Sequence, residues 1–302
     1  MRRSENIDRF CSGSHWILPA ARFLHGSPNA AIAEDDDCWV VLGGTTNLYP
    51  LEAMWGLACP LIGSEPEAVV GLLLDLLTRV PWNGLLLTGV APGSPLHRTL
   101  QARLGPRYPV STGPATRRYV ADIGGGLDGF LSRRSRDFQR NLRRAERLAA
   151  VNGLQFEVAD DLAPEESFRR ILDVERRSWK GARRVGIDTQ PMSSFYEEMN
   201  RRLAARGLRR LSFARVEGQD VAYILGGVVG RTYRGLQFSF DRRYEALSLG
   251  NLCQVEEIRR LAGVGIDRYD LGTEVSYKKR WADALSTTIS LIVRRNPAGG
   301  QS

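Results

Sequence analysis

The sequence predicts an α+β fold built around a mixed β-sheet, and three of its features lead to this prediction. In the first 125 residues, short apolar segments alternate with amphipathic ones, which is typical of strands that alternate with helices. In the second half, glycine-containing turns separate three β-rich segments, which predicts an antiparallel meander over 211–216, 221–229 and 232–240. A helix over 251–262, a strand through Asp270 and a strand over 287–293 follow the meander.

The first half contains the predicted alternation of strands and helices. Short apolar runs predict three strands, over 39–42, 84–88 and 118–122. The segment 67–78 has the spacing of an amphipathic helix, and Ser64 with Glu67 three residues later forms a capping-box pattern at its start. A second helix is expected over 96–104, with Gly105 at its end.

A strongly basic helix is predicted over 130–150, directly after three glycines. Its apolar face carries Phe138, Leu142, Ala145 and Ala149, and seven arginines lie within the fifteen residues 133–147. Such a surface indicates either an anion-binding face or an exposed connector. The sequence therefore predicts a domain over 1–125, a basic linker helix over 126–152 and a second domain over 153–302.

The second half opens with a strand over 154–158 and two helices. In the first helix, which follows Pro164, Phe168, Leu172, Glu175 and Trp179 recur at helical spacing and are expected to share one face. Glu175 then lies within an apolar stripe, where a carboxylate must be paired, for example with a buried arginine, or have a changed pKa. Ser193 is expected to cap the second helix, with Phe195, Met199 and Leu203 inward and Gly207 at its end.

Composition limits the class of protein. A chain of 302 residues with 43% hydrophobic and 25% charged residues is globular, and no apolar run reaches the ~20 residues that cross a bilayer. The start of the chain has basic residues but no apolar core, so we expect a cytoplasmic protein. The four cysteines and three histidines lack zinc-ligand spacing, and we expect neither a metal nor a disulfide. A net charge of +8 favours an anionic partner or a solvated basic surface.

The segment around Gly250 is the main candidate for a binding site. A polar loop that ends at the start of a helix presents unpaired amide groups and the positive end of the helix dipole, which suits a diphosphate. An ordinary capped helix without a ligand is the other interpretation. Asp270, Glu274, Tyr277 and Lys278 follow beyond the next strand. Together these residues indicate an enzyme that uses a phosphate-bearing carrier.

The order of elements resembles the Gcn5-related N-acetyltransferase (GNAT) fold, and four motifs resemble the BioF2-like, or cellulose-biosynthesis-type, acetyltransferases. The motifs are the segments 49–62 and 137–147, the run Glu175-Arg-Arg-Ser-Trp-Lys-Gly181, and Asp270-Leu-Gly272 with Tyr277, Lys278 and Trp281. This resemblance implies two tandem GNAT-like domains, the second carrying the site. The loop 246–251 departs from the usual pyrophosphate motif, because only Gly250 fits it. The tandem fold also resembles the Fem-type transferases, which take an aminoacyl group from tRNA.

The resemblance implies transfer of an acyl group, most simply acetyl, from acyl-CoA to the amine of a small molecule or peptide. The amides near Leu249, Gly250 and Asn251 would bind the donor diphosphate, with support from Ser248 and from Arg242 or Arg243. Tyr277 is the candidate acid toward the leaving thiolate, and Glu175, Glu274 or Asp270 would receive the amine proton. Lys180 and Lys278 suit an anionic group of the acceptor, and surface charge is the alternative for each. Trp179 is a further candidate there, although a core position is the more common role of such a tryptophan. The rival functions are a Fem-type transferase and a non-catalytic binding protein.

Overall fold

The computed structural model describes residues 7–26, 28–52 and 54–295. It divides into two compact units, 118–286 and the described residues on either side of it. The helices are α1 Ser14–Phe23, α2 Pro66–Arg79, α3 Pro95–Leu104, α4 Gly126–Ser132, α5 Arg136–Val151, α6 Pro164–Arg177, α7 Trp179–Arg183, α8 Met192–Ala204 and α9 Leu249–Gly263. The strands are β1 Ala30–Asp35, β2 Cys38–Gly43, β3 Asn47–Pro50, β4 Leu61–Ile62, β5 Gly84–Val90, β6 Val110–Asp122, β7 Gln155–Val158, β8 Arg209–Val216, β9 Gln219–Val229, β10 Thr232–Phe240, β11 Arg268–Thr273 and β12 Ala284–Arg294.

The first unit is a mixed sheet covered by helices. Strands β1, β2 and β3 form an antiparallel meander, β3 pairs with β5 in parallel, and β5 pairs with β12 antiparallel. Helix α2 places an apolar face that includes Val70 and Leu73 against this sheet, in one cluster with Trp82 and Leu87. These side chains are almost fully buried, so removal of apolar surface from water stabilises this core.

The second unit repeats the same strand pattern. The meander β8–β9–β10 is antiparallel, β10 pairs with β11 in parallel, and β11 pairs antiparallel with the end of β6. Strand β7 pairs with β8 at the outer edge. Helices α5 and α9 pack their apolar residues into one cluster with Tyr233 and Trp281. The predicted α+β class with a mixed sheet is therefore confirmed, and the predicted meander and the helix after it are present.

The repeated pattern agrees with two tandem domains, and that division stays a prediction. The predicted boundaries at 125 and 152 are not the limits of the packed units, because the C-terminal strand β12 completes the first sheet and the basic helix lies within the second unit. The outermost predicted residues, 1–6 and 296–302, lie outside the described part of the chain.

Several local predictions were wrong at helix ends. The basic helix is two helices, because Ser135 accepts a hydrogen bond from the amide of Phe138 and so begins α5 anew. Helix α2 begins after Glu65, without the side-chain cap expected from Ser64. Pro191 rather than Ser193 precedes α8. Gly207, with a φ of 64°, ends the last turn after Ala204 as predicted, because the amide of Leu208 donates to the Leu203 carbonyl at 2.9 Å. By contrast, Glu175 and the predicted inward residues Phe195, Met199 and Leu203 are fully buried.

Within the described residues, no helix combines the length and the apolar composition that a membrane span requires. In that same part of the chain, no three acidic, histidine or cysteine side chains form a group suited to a metal ion.

Candidate active site

A cleft opens in the second unit where the two parallel strands part. Strands β10 and β11 pair only over Thr232–Arg234 and Arg268–Asp270. Directly after this stretch, each strand is irregular against its other neighbour, between Gly235 and Gln237 in β10 and between Asp270 and Gly272 in β11. The space that follows, here called the β10–β11 cleft, measures about 50 Å³. Its walls include Leu236, Gln237, Phe238, Gln254, Tyr277 and Lys278.

Glycines permit this geometry. A Cβ on Gly235 would lie 2.9 Å from Cε2 of Tyr269, so only glycine lets the bulged strand pass over that ring. Gly272 has a φ of 83°, a left-handed conformation that side chains disfavour. The separation of the strands is thus built into the sequence at these two positions.

Helix α9 begins beside the cleft. Ser248 precedes it in a left-handed conformation and makes no side-chain cap. The amides of Asn251 and Leu252 donate to the Ser248 carbonyl at 2.9 and 3.2 Å, whereas those of Leu249 and Gly250 have no acceptor among the described residues. A Cβ on Gly250 would lie 2.8 Å from Cε2 of Phe238, so this glycine also sets how closely α9 approaches the cleft wall.

A small pocket of about 180 Å³ adjoins the start of α9. Arg280 and Asn251 line it together with Ser135, Phe138 and Asn141, and Nη2 of Arg280 donates to Oδ1 of Asn251 at 3.3 Å. Of the predicted arginines, Arg242 is exposed, and Arg243 forms an ion pair of 2.7 Å with Asp241. Arg280 is a further cation at the start of α9, in contact with Asn251, and the sequence analysis missed it.

Tyr277 and Lys278 both line the cleft. The Tyr277 ring packs edge-on to Phe238 at 6.3 Å between centroids, and burial raises the pKa of its phenol although the residue is partly exposed. Nζ of Lys278 donates to the Thr273 carbonyl at 3.2 Å. Burial, together with the weaker effect of the charges of Arg234 and Lys180, lowers the pKa of Lys278 to about 8, while Asp270 opposes this shift. Tyr277 thus keeps its proton at neutral pH, and Lys278 titrates near the physiological range.

Lys180 connects the cleft wall with Glu175. Its Nζ donates to the Phe238 carbonyl at 2.8 Å and to Oε1 of Gln237 at 3.0 Å. Glu175 has no exposed surface, and its Oε1 lies 3.9 Å from Nζ of Lys180. Burial lowers the pKa of Lys180, and Glu175 counteracts this effect.

Glu175 is paired, as its position in an apolar stripe requires, but not with an arginine. Its carboxylate accepts hydrogen bonds from the Tyr223 hydroxyl at 3.0 Å and from the Ile187 amide at 3.2 Å. The expectation that Trp179 shares the apolar face with Glu175 was wrong. Helix α6 ends at Arg177, so Trp179 begins α7 and is 46% exposed.

The other two predicted carboxylates lie outside the cleft lining. Asp270 is buried, accepts a hydrogen bond from Arg118 and forms an ion pair with Arg234 at 3.3 Å. It also accepts the Gly272 amide at 2.8 Å, which fixes the turn where β11 leaves β10. Glu274 is exposed and accepts a hydrogen bond from the Tyr119 hydroxyl at 3.3 Å. Neither carboxylate is placed to receive a proton within the cleft.

The first unit has a parallel pair of its own, but there the chain itself covers the open part. Beyond the pairing of β3 with β5, the backbone of 57–59 passes so close to Gly89 that a Cβ there would lie 2.3 Å from the Leu57 carbonyl oxygen. Glu52 is fully buried and accepts the amides of Trp55, Leu57 and Ala58 at 2.7, 3.3 and 3.2 Å. The three amides of this segment thus already hold a carboxylate of the chain itself.

Comparisons with known proteins agree with this geometry. Residues 133–280, which contain the whole cleft, match the family model described as an acetyltransferase (GNAT) domain. This segment is a GNAT-type acetyltransferase domain. The protein therefore carries an acyltransferase domain, as its sequence predicted, whereas the BioF2-like subgroup has no such support. No curated protein is significantly similar to the chain.

Three solved structures share the fold over nearly the whole chain. A conserved protein of unknown function from Bacteroides thetaiotaomicron has a TM-score of 0.68 at 14% identity, over 97% of this chain and 93% of its own. The structure of FemX has a TM-score of 0.69 at 13% identity, over 95% of this chain and 93% of its own. L-PGS from Bacillus licheniformis has a TM-score of 0.60 at 11% identity, over 95% of this chain and 89% of its own. At these identities the likeness concerns the fold alone.

Proposed function

We propose that the protein transfers an acyl group, most simply acetyl, from acyl-CoA to the amine of a small molecule or peptide, in the β10–β11 cleft. The observation that carries this proposal is the parting of β10 from β11 beside the start of α9. The chain of amide groups in CoA suits an unpaired strand edge, and its diphosphate suits free helix amides. The GNAT match of 133–280 supports the same donor.

The donor diphosphate is assigned to the start of α9. The amides of Leu249 and Gly250 supply two donors, and Ser248 and Asn251 supply polar side chains nearby. Arg280 lies next to Asn251 and supplies a positive charge. We therefore assign to Arg280 the role that the sequence suggested for Arg242 or Arg243.

The amine attacks the thioester carbonyl, a C–N bond forms and the C–S bond breaks. Tyr277 is retained as the acid that protonates the leaving thiolate, because burial keeps its phenol protonated. Lys278 and Lys180 have lowered pKa values. The same environment would lower the pKa of an incoming amine, so that it binds in the neutral, nucleophilic form. The amine proton is then taken up by Lys278 in its neutral form or by water.

The remaining predicted site residues receive supporting roles in this proposal. Glu175 holds Lys180 against the cleft wall, and Asp270 fixes the turn that opens the cleft. Glu274 and Trp179, both exposed, are assigned to the approach of the acceptor. A member of the BioF2-like subgroup acting in the cytoplasm is the more specific form of the proposal.

Donor binding is the decisive experiment. Acetyl-CoA should raise the melting temperature with the logarithm of its concentration above Kd, and free thiol should appear when a suitable amine is added. Arg280→Gln should weaken CoA binding about tenfold, a loss of ~1.4 kcal/mol, whereas Arg242→Gln should leave it unchanged. Absence of any CoA-dependent stabilisation at millimolar concentration would refute the donor assignment.

One observation favours a second candidate, a transferase that takes an aminoacyl group from tRNA. Helix α5 exposes five arginines on one surface: Arg136, Arg140, Arg143, Arg144 and Arg147. The affinity of this surface for a nucleic acid would fall steeply as the salt concentration rises. This candidate is favoured over the first if the protein binds an aminoacyl-tRNA and does not bind CoA. The binding should weaken as salt is added and should be lost in an Arg143→Gln, Arg144→Gln variant.

A further inference from the structure

Lys278 lines the cleft without an ion-pair partner among the described residues. Lys278 lies in the wall beside Tyr277 and Leu236, and its only hydrogen bond among the described residues is the one to the Thr273 carbonyl. No carboxylate of the described chain forms an ion pair with it. Its Nζ would lie 3.4 Å from a Cβ on Gly272, so it sits at the point where β11 leaves the parallel pair. An amine group thus already occupies the cleft.

Burial, with a smaller contribution from two neighbouring cations, lowers the pKa of Lys278 and keeps much of its amine neutral. Arg234 and Lys180 face it as cations, Asp270 is the opposing anion, and the Tyr277 phenol is its uncharged neighbour. With a pKa of about 8, Lys278 is about half neutral at pH 8. An unperturbed lysine is only about 0.4% neutral at that pH. The neutral amine is the nucleophile in acyl transfer.

We propose that Lys278 itself accepts the acyl group when acyl-CoA is bound and no external amine is present. This inference rests on the proposed donor. The Nζ of Lys278 attacks the thioester carbonyl, an amide bond forms at Nζ and the C–S bond breaks. Of the protons on the attacking amine, one is released to solvent, and the thiolate takes a proton from Tyr277, which is restored from solvent. The products are acyl-lysine and free CoA.

Neighbouring lysines are not equivalent acceptors. Nζ of Lys180 is committed to the Phe238 carbonyl, the Gln237 amide oxygen and the nearby Glu175 carboxylate. Lys279 is adjacent in sequence but exposed. Only Lys278 combines a place in the cleft wall with freedom from an anionic partner.

Acylation of Lys278 would limit the activity of the protein. The new amide removes the positive charge and adds at least the three heavy atoms of an acetyl group to a space of about 50 Å³. The acyl group of a second donor would then have no room beside Tyr277. Self-acylation would thus stop turnover when the acceptor amine is scarce.

Mass spectrometry of the whole protein after incubation with acetyl-CoA alone tests the inference. We expect one added acetyl group, located at Lys278 by peptide mapping, at least about tenfold faster than at Lys279, because far more of Lys278 is neutral. The rate should rise from pH 7 to pH 9. Lys278→Arg should abolish the single addition, and Lys279→Arg should not change it. The acetylated protein should show a smaller thermal shift with CoA.

Two outcomes would overturn the inference in distinguishable ways. If CoA stabilises the protein but Lys278 is acetylated no faster than Lys279, self-acylation is refuted and the donor assignment stands. If CoA neither stabilises the protein nor modifies it, the donor assignment fails and self-acylation fails with it.

Discussion

Replacing Lys278 by methionine should stabilise the protein while it impairs acyl transfer. The pKa of this lysine falls from 10.5 to about 8 on folding. Each pH unit of difference between the folded and unfolded states corresponds to about 1.4 kcal/mol. Protonation of Lys278 at pH 7 therefore costs the folded state about 3 kcal/mol. Methionine keeps a similar length without a charge, so Lys278→Met should recover most of that free energy.

The difference in stability between Lys278→Met and the wild type should depend on pH. Between pH 8 and 10.5 the unfolded chain binds more protons at this position than the folded chain, so the stability of the wild type rises with pH across that interval. Below about pH 8 the full cost of the charge applies. The advantage of the methionine variant should thus be about 3 kcal/mol at pH 7 and should disappear above pH 10.5.

Urea unfolding at pH 7, 9 and 10.5 measures this difference, with Lys279→Met as the control at the exposed neighbouring position. The control should change the free energy of unfolding by less than about 0.5 kcal/mol, as surface substitutions usually do. The reasoning is refuted if Lys278→Met is no more stable than the wild type at pH 7, or if its advantage is the same at all three pH values. Loss of activity together with a gain in stability is typical of groups kept for function.

Three further substitutions test the packing of the second unit. Asp270→Asn leaves two buried arginines without their carboxylate and should lower the free energy of unfolding by about 3–5 kcal/mol in urea titrations; a loss below about 1 kcal/mol would contradict the buried ion pairs. Gly250→Ala places a methyl group against Phe238 and should cost about 1–3 kcal/mol and weaken donor binding. The matched Gly71→Ala in α2, where a Cβ meets nothing within 4 Å, should instead stabilise by about 0.5–1 kcal/mol; equal effects at both glycines would contradict this packing. Glu175→Gln removes the charge that lies 3.9 Å from the Lys180 ammonium and weakens the acceptor of the Tyr223 hydroxyl, so it should cost about 1–3 kcal/mol; an unchanged unfolding midpoint would show that this carboxylate has no structural role.

The sequence predicted the fold class because the hydrophobic periodicity of the elements is local. The meander over β8–β10 and helix α9 followed from alternating apolar residues and from glycines at the turns. Strand β1 and the early part of β6 were missed, because 30–35 and 110–117 are polar or mixed and form strands through pairing with their neighbours. Helix ends were mispredicted where an adjacent serine or proline competed for the capping position.

The candidate site was predictable in its location but not in its contacts. Gly250 was singled out as a glycine at the start of a helix, and Tyr277 and Lys278 by the polar cluster after the next strand together with the family resemblance. The partners of Asp270 are Arg118 and Arg234, far from it in sequence, so nothing local could show that this carboxylate is neutralised. Arg280 was missed for the same reason: its approach to Asn251 depends on how the segment after β11 packs against α9.

The position of the Glu52 carboxylate has a consequence for the number of donor molecules that one polypeptide binds. A duplicated fold could bind two ligand molecules per polypeptide. In the first unit, however, the Glu52 carboxylate occupies the amides of Trp55, Leu57 and Ala58, and the segment 57–59 covers the open part of the parallel strand pair. We expect titration of the wild type with the donor to saturate at one equivalent per polypeptide rather than at two.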